Sequence, residues 1–244
     1  MTAVAVAPSP CYPADNIADV LLSAEHLAFL TDGTLEGSGA RRSPLRGVVT
    51  DSREATEGCA FIALPGAITD GHRYVGDAAR RGAALAIVTA SWPATQPSPP
   101  LLLRVDDTAA ALRRACSRRL AELGCVVLGI TGSVGKTTFK EMCALVLPGG
   151  AHRLRVGKTV GNLNTWTGIP LSVLRLEEPV DVFVAELAMS ARGEIADLCS
   201  FTHPRVGAVL NVGLAHVGLL GSREAIAEAK AELVEALPPD GEAV

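Results

Sequence analysis

The residues with the clearest potential for chemistry lie in the segment VVLGITGSVGKTTFKEM, at 126–142. An apolar strand, a glycine-containing loop and a helix follow one another there, and Gly132 and Gly135 let backbone N–H groups turn inward around phosphates. Lys136 supplies a cation for the β- and γ-phosphates, and the hydroxyl of Thr137 can join the coordination shell of Mg²⁺. The segment therefore predicts a loop that binds the phosphates of a nucleoside triphosphate.

The loop departs from the strict pattern G-x-x-x-x-G-K-[ST], because Ile130 occupies the position of the first glycine. The alternative is an ordinary strand-to-helix turn that carries an exposed lysine. The apolar strand before the loop and the helix after it favour phosphate binding over that alternative.

Two further candidate side chains follow apolar strands. Glu186 lies at the end of the run VDVFVAEL, and His216 follows RVGAVLNV and a short glycine-containing loop. Open parallel sheets bind ligands at the carboxyl ends of their strands, so both side chains are expected at that edge. The alternatives are a solvated carboxylate at a strand end and a structural histidine.

The remaining candidates are less specific. Thr159, Asn162 and Asn164 lie in a glycine-containing loop, where hydroxyl and amide groups can bind a sugar or a phosphate. Asparagine is also common in turns because it tolerates unusual backbone angles. Lys230 lies on the helix SREAIAEAKAELVEAL, whose several glutamates are equally compatible with an ordinary charged helix.

An alternation of strands and helices must position these residues. From Cys125 onward, short and uniformly apolar strands alternate with helices, which predicts a parallel sheet covered on both faces. The final GEAV begins like another strand. A helix predicted over 107–123 precedes this half, so a domain boundary is expected near Gly124.

The first half predicts a smaller mixed α/β unit. Apolar runs at 47–50 and 59–64 indicate strands, and HRYVGDAARRG at 72–82 indicates a helix that ends at its final glycine before the strand-like ALAIVT. Apolar residues at spacings of three and four predict an amphipathic helix over 17–30.

Composition excludes several classes of protein. The chain has 244 residues, 48% hydrophobic and 20% charged, with a formal net charge of −4 and arginines in short scattered clusters, which argues against nucleic acid as a partner. Six cysteines without a C-x-x-C pair indicate reduced cytosolic thiols. Neither a signal peptide nor a membrane-spanning run is found, so a cytoplasmic protein is expected, and a monomer is compatible with the sequence.

Several ordered motifs resemble those of the Mur ligase family. The string TGSVGKTT (131–138) resembles that family's loop T-G-x-x-G-K-T, in which the earlier glycine is not required. TVGNLNTWTGIPLSVLRL, VAELAMSARGEI and NVGLAHVGLLGSREAIAEAKAEL follow in the family's order and approximate spacing. Residues 49–88 look like the family's UDP-substrate domain, with DSR at 51–53 and DGH at 70–72 as landmarks. The resemblance covers roughly residues 45–244.

The resemblance implies an α/β fold with two domains. A small N-terminal mixed α/β domain that binds the UDP end of the substrate is expected over 1–123, with a leader at 1–16. A P-loop-type ATPase domain with a parallel sheet is expected over 124–244. This second domain is expected to be truncated and the family's third, C-terminal domain to be absent, so the chain by itself is expected to be inactive.

Roles for individual residues also follow from the resemblance. The implied nucleotide-binding residues are Gly132, Ser133, Val134, Gly135, Lys136, Thr137 and Thr138. The implied catalytic residues are Lys136, Glu186, His216 and Lys230. The implied Mg²⁺ ligands are Thr137, Glu186, His216 and, if it is carbamylated, Lys230. The implied substrate-binding residues are Ser52, Arg53, Thr159, Asn162 and Asn164.

The implied activity is an ATP- and Mg²⁺-dependent amide-bond ligation in peptidoglycan precursor synthesis. The motifs most resemble members of the family that add D-alanyl-D-alanine to UDP-N-acetylmuramoyl-tripeptide through an acyl phosphate. The tripeptide-forming ligases of the family and a non-catalytic binding module remain alternatives. Ala188 and the run Thr165-Trp166-Thr167 depart from the family's usual residues and bear on substrate detail.

Overall fold

Two five-stranded sheets, joined through a long helix, organise the part of the chain that the computed structural model describes. The described residues are 22–66, 69–93, 97–176, 179–215 and 217–244. The candidate His216 and the first five residues of the helix predicted over 17–30 lie outside them.

The first sheet lies in the N-terminal half. Its strands are β1 (Thr34–Gly37), β2 (Val48–Val49), β3 (Ala60–Ile62), β4 (Leu85–Thr89) and β5 (Leu101–Val105). They are arranged in the order β1-β5-β4-β3-β2, and all pairs are parallel except β1 with β5. β3 is buried throughout, as is typical of a parallel strand covered on both faces. The mixed α/β prediction for this half is confirmed.

The second sheet contains the phosphate-loop segment. Its strands are β6 (Val126–Thr131), β7 (Val156–Lys158), β8 (Val182–Glu186), β9 (Val206–Val209) and β10 (Glu242–Ala243). They are arranged in the order β10-β9-β6-β8-β7, and every pair is parallel, as predicted. Ile130 is paired with Glu186 and Thr131 with Val209, so β6, β8 and β9 end at the same edge.

Eight α-helices connect and cover the sheets in the described residues. They are α1 (Ala24–Thr31), α2 (Val75–Arg80), α3 (Thr108–Leu123), α4 (Lys136–Val146), α5 (Gly168–Leu174), α6 (Glu194–Thr202), α7 (Val217–Leu220) and α8 (Arg223–Glu235). The helix predicted over 72–82 begins as a 3₁₀ turn at Gly71–Tyr74 and continues as α2. Each of the eight is too short or too polar to cross a lipid bilayer.

Side-chain caps set two of the helix boundaries. The carboxylate of Asp107 accepts the N–H of Ala110, and Gly124 ends α3 in the left-handed region at φ 60°, so the helix predicted over 107–123 is confirmed. The helix predicted from residue 17 instead begins at Ala24, because Ser23 is extended and its hydroxyl accepts the N–H of His26 as an N-cap.

The central helix α3 belongs to two hydrophobic cores. On one side, Ala111, Leu112 and Ala115 pack with α1 and the first sheet. On the other side, Cys116 and Leu120 pack with α5, α6, α8 and the second sheet. The two units therefore share a helix, and a boundary near Gly124 stays a prediction.

The opposite face of the second sheet is covered by α4. Ile130, Val184 and Ala208 form a small core there, against which Phe139 and Cys143 of α4 pack. This packing holds α4 against that face, with its first residue, Lys136, close after the end of β6. Neither β7 nor α5 was predicted. The three residues of β7 include a glycine and a lysine rather than an apolar run, and the seven residues of α5 include a glycine and a proline.

Candidate functional site

The predicted phosphate loop connects the end of β6 to the start of α4. Gly135 is the N-cap of α4 and adopts φ +86°, a left-handed conformation that favours glycine. Gly132 is closely packed, since a Cβ there would lie 3.1 Å from the Cβ of Leu210 and would require Leu210 to shift by a few tenths of an ångström. The first turn of α4 thus presents backbone N–H groups that lack intrahelical acceptors, at the positive end of an 11-residue helix.

A residue without a predicted role, Asn211, holds the loop in shape. Its Oδ1 accepts the N–H groups of Ser133 and Val134, each at 3.1 Å, and its Nδ2 donates to the Val134 carbonyl at 3.0 Å. The hydroxyl of Ser133 accepts the N–H of Gly213 at 2.9 Å. Because these two loop amides are engaged by Asn211, the amides from Gly135 onward are the ones placed to meet an anion.

The side chains at the start of α4 point toward the sheet edge. The Nζ of Lys136 donates to the Gly132 carbonyl at 2.7 Å, folding the lysine over the loop. The hydroxyl of Thr137 donates to Glu186 Oε2 at 2.9 Å, and both Thr137 and Thr138 are exposed. The loop therefore places one ammonium and one hydroxyl beside its free amides.

The carboxylate of Glu186 is the centre of a buried polar cluster. Its side chain is 2% exposed, which contradicts the alternative of a solvated carboxylate at a strand end. Besides Thr137, the Nδ2 of Asn164 donates to Oε1 at 3.0 Å, and the Nζ of Lys140 lies 3.6 Å from Oε2. Burial of a carboxylate is costly unless charges and donors surround it, and here three groups do.

The loop that follows β7 approaches this cluster at two points. Thr159 is fully buried, and its hydroxyl accepts the backbone N–H of Glu186 at 3.2 Å. Asn164 donates to the Glu186 carboxylate, as described above, and its carbonyl accepts the N–H of Ala188 at 3.1 Å. Asn162, between them, is exposed. The structure thus brings two of the three predicted loop residues to Glu186 and leaves the third on the surface.

The other two predicted substrate-binding residues lie in the first unit, just after β2. Ser52 is buried and begins a 3₁₀ turn over Ser52–Glu54, whereas the Arg53 side chain is 83% exposed. The Arg53 guanidinium is hydrogen-bonded to Asp51 and holds the pKa of that carboxyl at about 2. These residues lie at the carboxyl end of a strand, as a ligand site in a parallel sheet requires.

Lys230 lies on α8 and is 2% exposed. Burial lowers its pKa to about 8, and the nearby ammonium of Lys136 adds to the effect. An exposed lysine on a charged helix is solvated, and the burial of Lys230 differs from that arrangement. A substantial fraction of neutral amine at mildly alkaline pH makes Lys230 chemically distinct from the exposed lysines of the chain.

The low pKa of Lys230 predicts a pH-dependent stability. Between pH 8 and 10.5 the unfolded chain holds a proton on this amine that the folded chain has lost, so the unfolding free energy should rise with pH across that window. Lys230→Met should therefore be more stable than the wild type at pH 7, by up to roughly 3 kcal/mol. That advantage should shrink as the pH approaches 10.5.

Urea denaturation in carbon-dioxide-depleted buffer measures this difference. Parallel stability curves for the wild type and Lys230→Met would show that the amine titrates normally. The same series on Lys158→Met provides the control, since it replaces a lysine that is only partly buried.

The oxygen atoms at the loop suit a small divalent cation. The Thr137 hydroxyl and the Glu186 carboxylate lie 2.9 Å apart, and hard oxygen donors of this kind are what Mg²⁺ prefers. No cluster of three or more His, Cys, Asp or Glu side chains occurs in the described residues, a set that excludes His216. Few protein ligands are typical of Mg²⁺, which retains waters and binds phosphates.

A contact between an arginine and a tryptophan attaches the loop after β7 to α3. Arg113 of α3 lies 5.4 Å from the ring of Trp166 and pairs with Asp197 of α6 at 2.8 Å. Trp166 belongs to the run 165–167, which departs from the family's usual residues. Its contact with Arg113 attaches the loop after β7 to α3, and Arg113 in turn connects to α6. Sequence reasoning missed this role because Arg113 and Trp166 lie in different halves of the chain.

Two family models match this chain in order along its length. The model described as Mur ligase family, catalytic domain, matches residues 44–120, and the model described as Mur ligase middle domain matches residues 130–244. A curated relative, the UDP-N-acetylmuramoyl-tripeptide--D-alanyl-D-alanine ligase of Bacillus subtilis (strain 168), is 40% identical over 220 residues, covering 89% of this chain and 47% of the relative. The chain thus spans about half the length of the curated relatives it matches.

Solved structures agree with these matches. MurF from Acinetobacter baumannii has a TM-score of 0.78 and 32% sequence identity, covering 91% of this chain and 48% of that one. The MurF ligase from Thermotoga maritima in complex with ADP has a TM-score of 0.69 and 36% identity, covering 81% and 45%. Taken with the two family models and the phosphate loop at the edge of the second sheet, these similarities show that the chain belongs to the Mur ligase family.

Proposed function

We propose that this chain carries the nucleotide-binding and UDP-substrate-binding parts of an ATP-dependent ligase. The ligase adds D-alanyl-D-alanine to UDP-N-acetylmuramoyl-tripeptide, the reaction named for its relatives at 40% identity and below. The observation that carries the proposal is the juxtaposition of the open N-terminus of α4, Lys136 and Thr137 with the buried carboxylate of Glu186.

The reaction has two steps that this arrangement can serve. A carboxylate oxygen of the tripeptide attacks the γ-phosphorus of ATP, the bond to the β-γ bridging oxygen breaks, and ADP leaves. The amine of the dipeptide then attacks the acyl phosphate, the carbon–oxygen bond to phosphate breaks, and the amine loses a proton as the amide forms. Charge accumulates on phosphate oxygens in the first step, and stabilising that charge is the main task of the protein.

Each loop residue has a role in the first step. The amides of α4 from Gly135 to Thr138 and the Lys136 ammonium bind and orient the phosphate oxygens. Ser133 and Val134 shape the loop through their bonds to Asn211. Thr137 and Glu186 would hold Mg²⁺, which neutralises phosphate charge when it is bound.

Lys230 and His216 complete the proposed metal environment. The neutral amine of Lys230 can add to carbon dioxide, forming an N–C bond and releasing a proton, to give a carbamate that is negatively charged. Its lowered pKa and its proximity to Lys136 support this modification. His216 is proposed as a further ligand on the motif that it shares with the family.

The UDP end of the substrate is assigned to the first sheet, with Ser52 and Arg53 at the carboxyl end of β2 as binding residues. Thr159, Asn162 and Asn164 are assigned to the part of the substrate that approaches the phosphate loop. Exposed Asn162 has its amide available for a ligand, whereas Asn164 already contacts Glu186.

Phosphate release from ATP in the presence of UDP-N-acetylmuramoyl-tripeptide and D-alanyl-D-alanine tests the proposal. Release that requires the dipeptide supports it, and release only with a single diamino acid indicates the tripeptide-forming reaction instead. Calorimetry with MgADP and with the UDP-tripeptide measures binding separately. Binding of both without turnover is the result expected of a chain that carries only these two parts of the ligase, and binding of neither would contradict the proposal.

A further inference from the structure

A lysine one turn beyond the phosphate loop is completely buried. Lys140 has a side-chain exposure of 0%, and it is the only residue of α4 that is buried in the described structure. Burial of an ammonium group is strongly unfavourable unless hydrogen bonds and opposite charges replace its water. The contacts that make this burial tolerable therefore indicate what the residue does.

Lys140 joins three separate elements at its ammonium group. Its Nζ donates to the Gly161 carbonyl at 2.8 Å, in the loop after β7. The same nitrogen lies 3.6 Å from Glu186 Oε2 at the end of β8, and 3.5 Å from Glu141 Oε1 on α4 itself. One buried charge thus connects the phosphate-loop helix, the loop and the central carboxylate.

The charge of Lys140 is directed mainly toward Glu186. Glu141 is bonded on its outer side to the Lys158 ammonium, and this bond lowers the pKa of Glu141. Since Lys158 already balances Glu141, the remaining opposite charge in contact with Lys140 is the buried Glu186 carboxylate. Glu141 is also half-exposed, so water weakens its attraction for Lys140.

The loop contacts its surroundings at its two ends and at its tip. Thr159 and Asn164 attach the ends to Glu186, as described above. At the tip, Gly161 adopts φ +54° in an exposed turn, and its carbonyl is the acceptor for Lys140. A separate bond from the Val160 N–H to the Ser172 hydroxyl, at 3.1 Å, anchors the tip to α5 without involving Glu186.

We propose that Lys140 is a positioning residue that fixes the 159–164 loop and the Glu186 carboxylate in one arrangement. The role rests on the proposed function, in which the loop binds the UDP-substrate and Glu186 binds the metal beside the nucleotide. Lys140 touches neither ligand in this role. Through Lys140 the position of the 159–164 loop depends on the position of Glu186, and the position of Glu186 depends on that of the loop.

Lys140→Met tests the role by removing the ammonium and keeping a long unbranched side chain. Hydrogen exchange of the backbone amides at 160–164 should become about tenfold faster or more, because a charged hydrogen bond at the tip is lost. The apparent affinities for MgADP and for UDP-N-acetylmuramoyl-tripeptide should both fall by about tenfold. Lys140→Arg keeps the charge and a donor and should recover part of each loss.

Two matched variants distinguish this positioning role from a general increase in the flexibility of the loop. Lys158→Met removes the neighbouring ion pair and should leave loop exchange and both affinities within about twofold of the wild type. Ser172→Ala cuts the other anchor of the tip, so it should speed loop exchange without changing MgADP affinity. Equal effects of Ser172→Ala and Lys140→Met on MgADP affinity would overturn the proposal.

The unmodified protein supplies a measurement that does not depend on the variants folding. If the loop and Glu186 are coupled, MgADP should slow hydrogen exchange at 160–164, and unchanged exchange in bound protein would contradict the coupling. Absence of MgADP and UDP-tripeptide binding by the wild type would contradict the proposed function instead. In that case the exchange rates of Lys140→Met and Lys158→Met still decide whether Lys140 holds the loop.

Discussion

Lys136→Ala is expected to reduce ATP-dependent phosphate release by about 1,000-fold, because one preorganised cation is removed from the transferring phosphoryl group. The lysine is folded over the loop through its bond to the Gly132 carbonyl, so it needs little rearrangement to meet a phosphate. The variant should fold normally, since this side chain is only partly buried. Release assays on the ligase of which this chain is proposed to be a part, with saturating UDP-tripeptide and dipeptide, measure the effect.

The same variant should change a second, independent property. The Lys136 ammonium contributes to the low pKa of Lys230, so Lys136→Ala should move that pKa upward from about 8. NMR titration of isotopically labelled lysine side chains can follow the change. Lys158→Ala is the control, because it removes a lysine beside α4 that does not face the loop. Undiminished phosphate release by Lys136→Ala would reject the phosphate-loop assignment.

Glu186→Gln is the second change with a large expected effect. The amide keeps the shape of the side chain but removes the charge, so Lys140 is left as a buried cation without its buried counter-charge. Breaking a buried ion pair from one side costs on the order of 3 kcal/mol, and the urea midpoint should fall accordingly. Loss of the proposed Mg²⁺ ligand should also reduce phosphate release by about 100-fold or more.

Raising the Mg²⁺ concentration distinguishes the two consequences of Glu186→Gln. Partial recovery of phosphate release at high Mg²⁺ is expected if the carboxylate binds the metal, whereas the loss of stability should persist. Glu141→Gln serves as the matched control, since it neutralises a half-exposed carboxylate that also contacts Lys140. Equal Mg²⁺ requirements for Glu186→Gln and the wild type would show that Glu186 does not bind the metal.

Much of the fold could be predicted because its signals are local. The run from Val126 to Thr131 is apolar and short, as a buried parallel strand must be, and Asp107 and Gly124 mark the ends of α3 by their capping chemistry. β1 and β7 lack such a local signal, so the sequence does not predict them. β1 is mostly exposed and pairs at the sheet edge, so its residues carry no strong apolar pattern.

The phosphate loop was also a local prediction, since its strand, turn, lysine and helix are contiguous. The side chains that hold the loop in place lie far from it in the sequence and could not be predicted in this way. Asn211 holds the loop from 78 residues away, and Thr137 meets Glu186 across 49 residues. In the sequence, Trp166 is recognisable only as a departure from the family's usual residues. Its contact with Arg113 depends on how α3 packs against the loop after β7.

The fold class, the place of the phosphate loop and the family resemblance could all be predicted from the sequence, because strand and helix periodicity and a contiguous motif require no knowledge of the path of the chain. Three further properties emerge from the folded chain: Glu186 is buried rather than solvated, the pKa of Lys230 is lowered, and Lys140 joins the loop to Glu186. These properties depend on which strands are neighbours and in what register, and burial and electrostatic interactions act through space rather than along the chain.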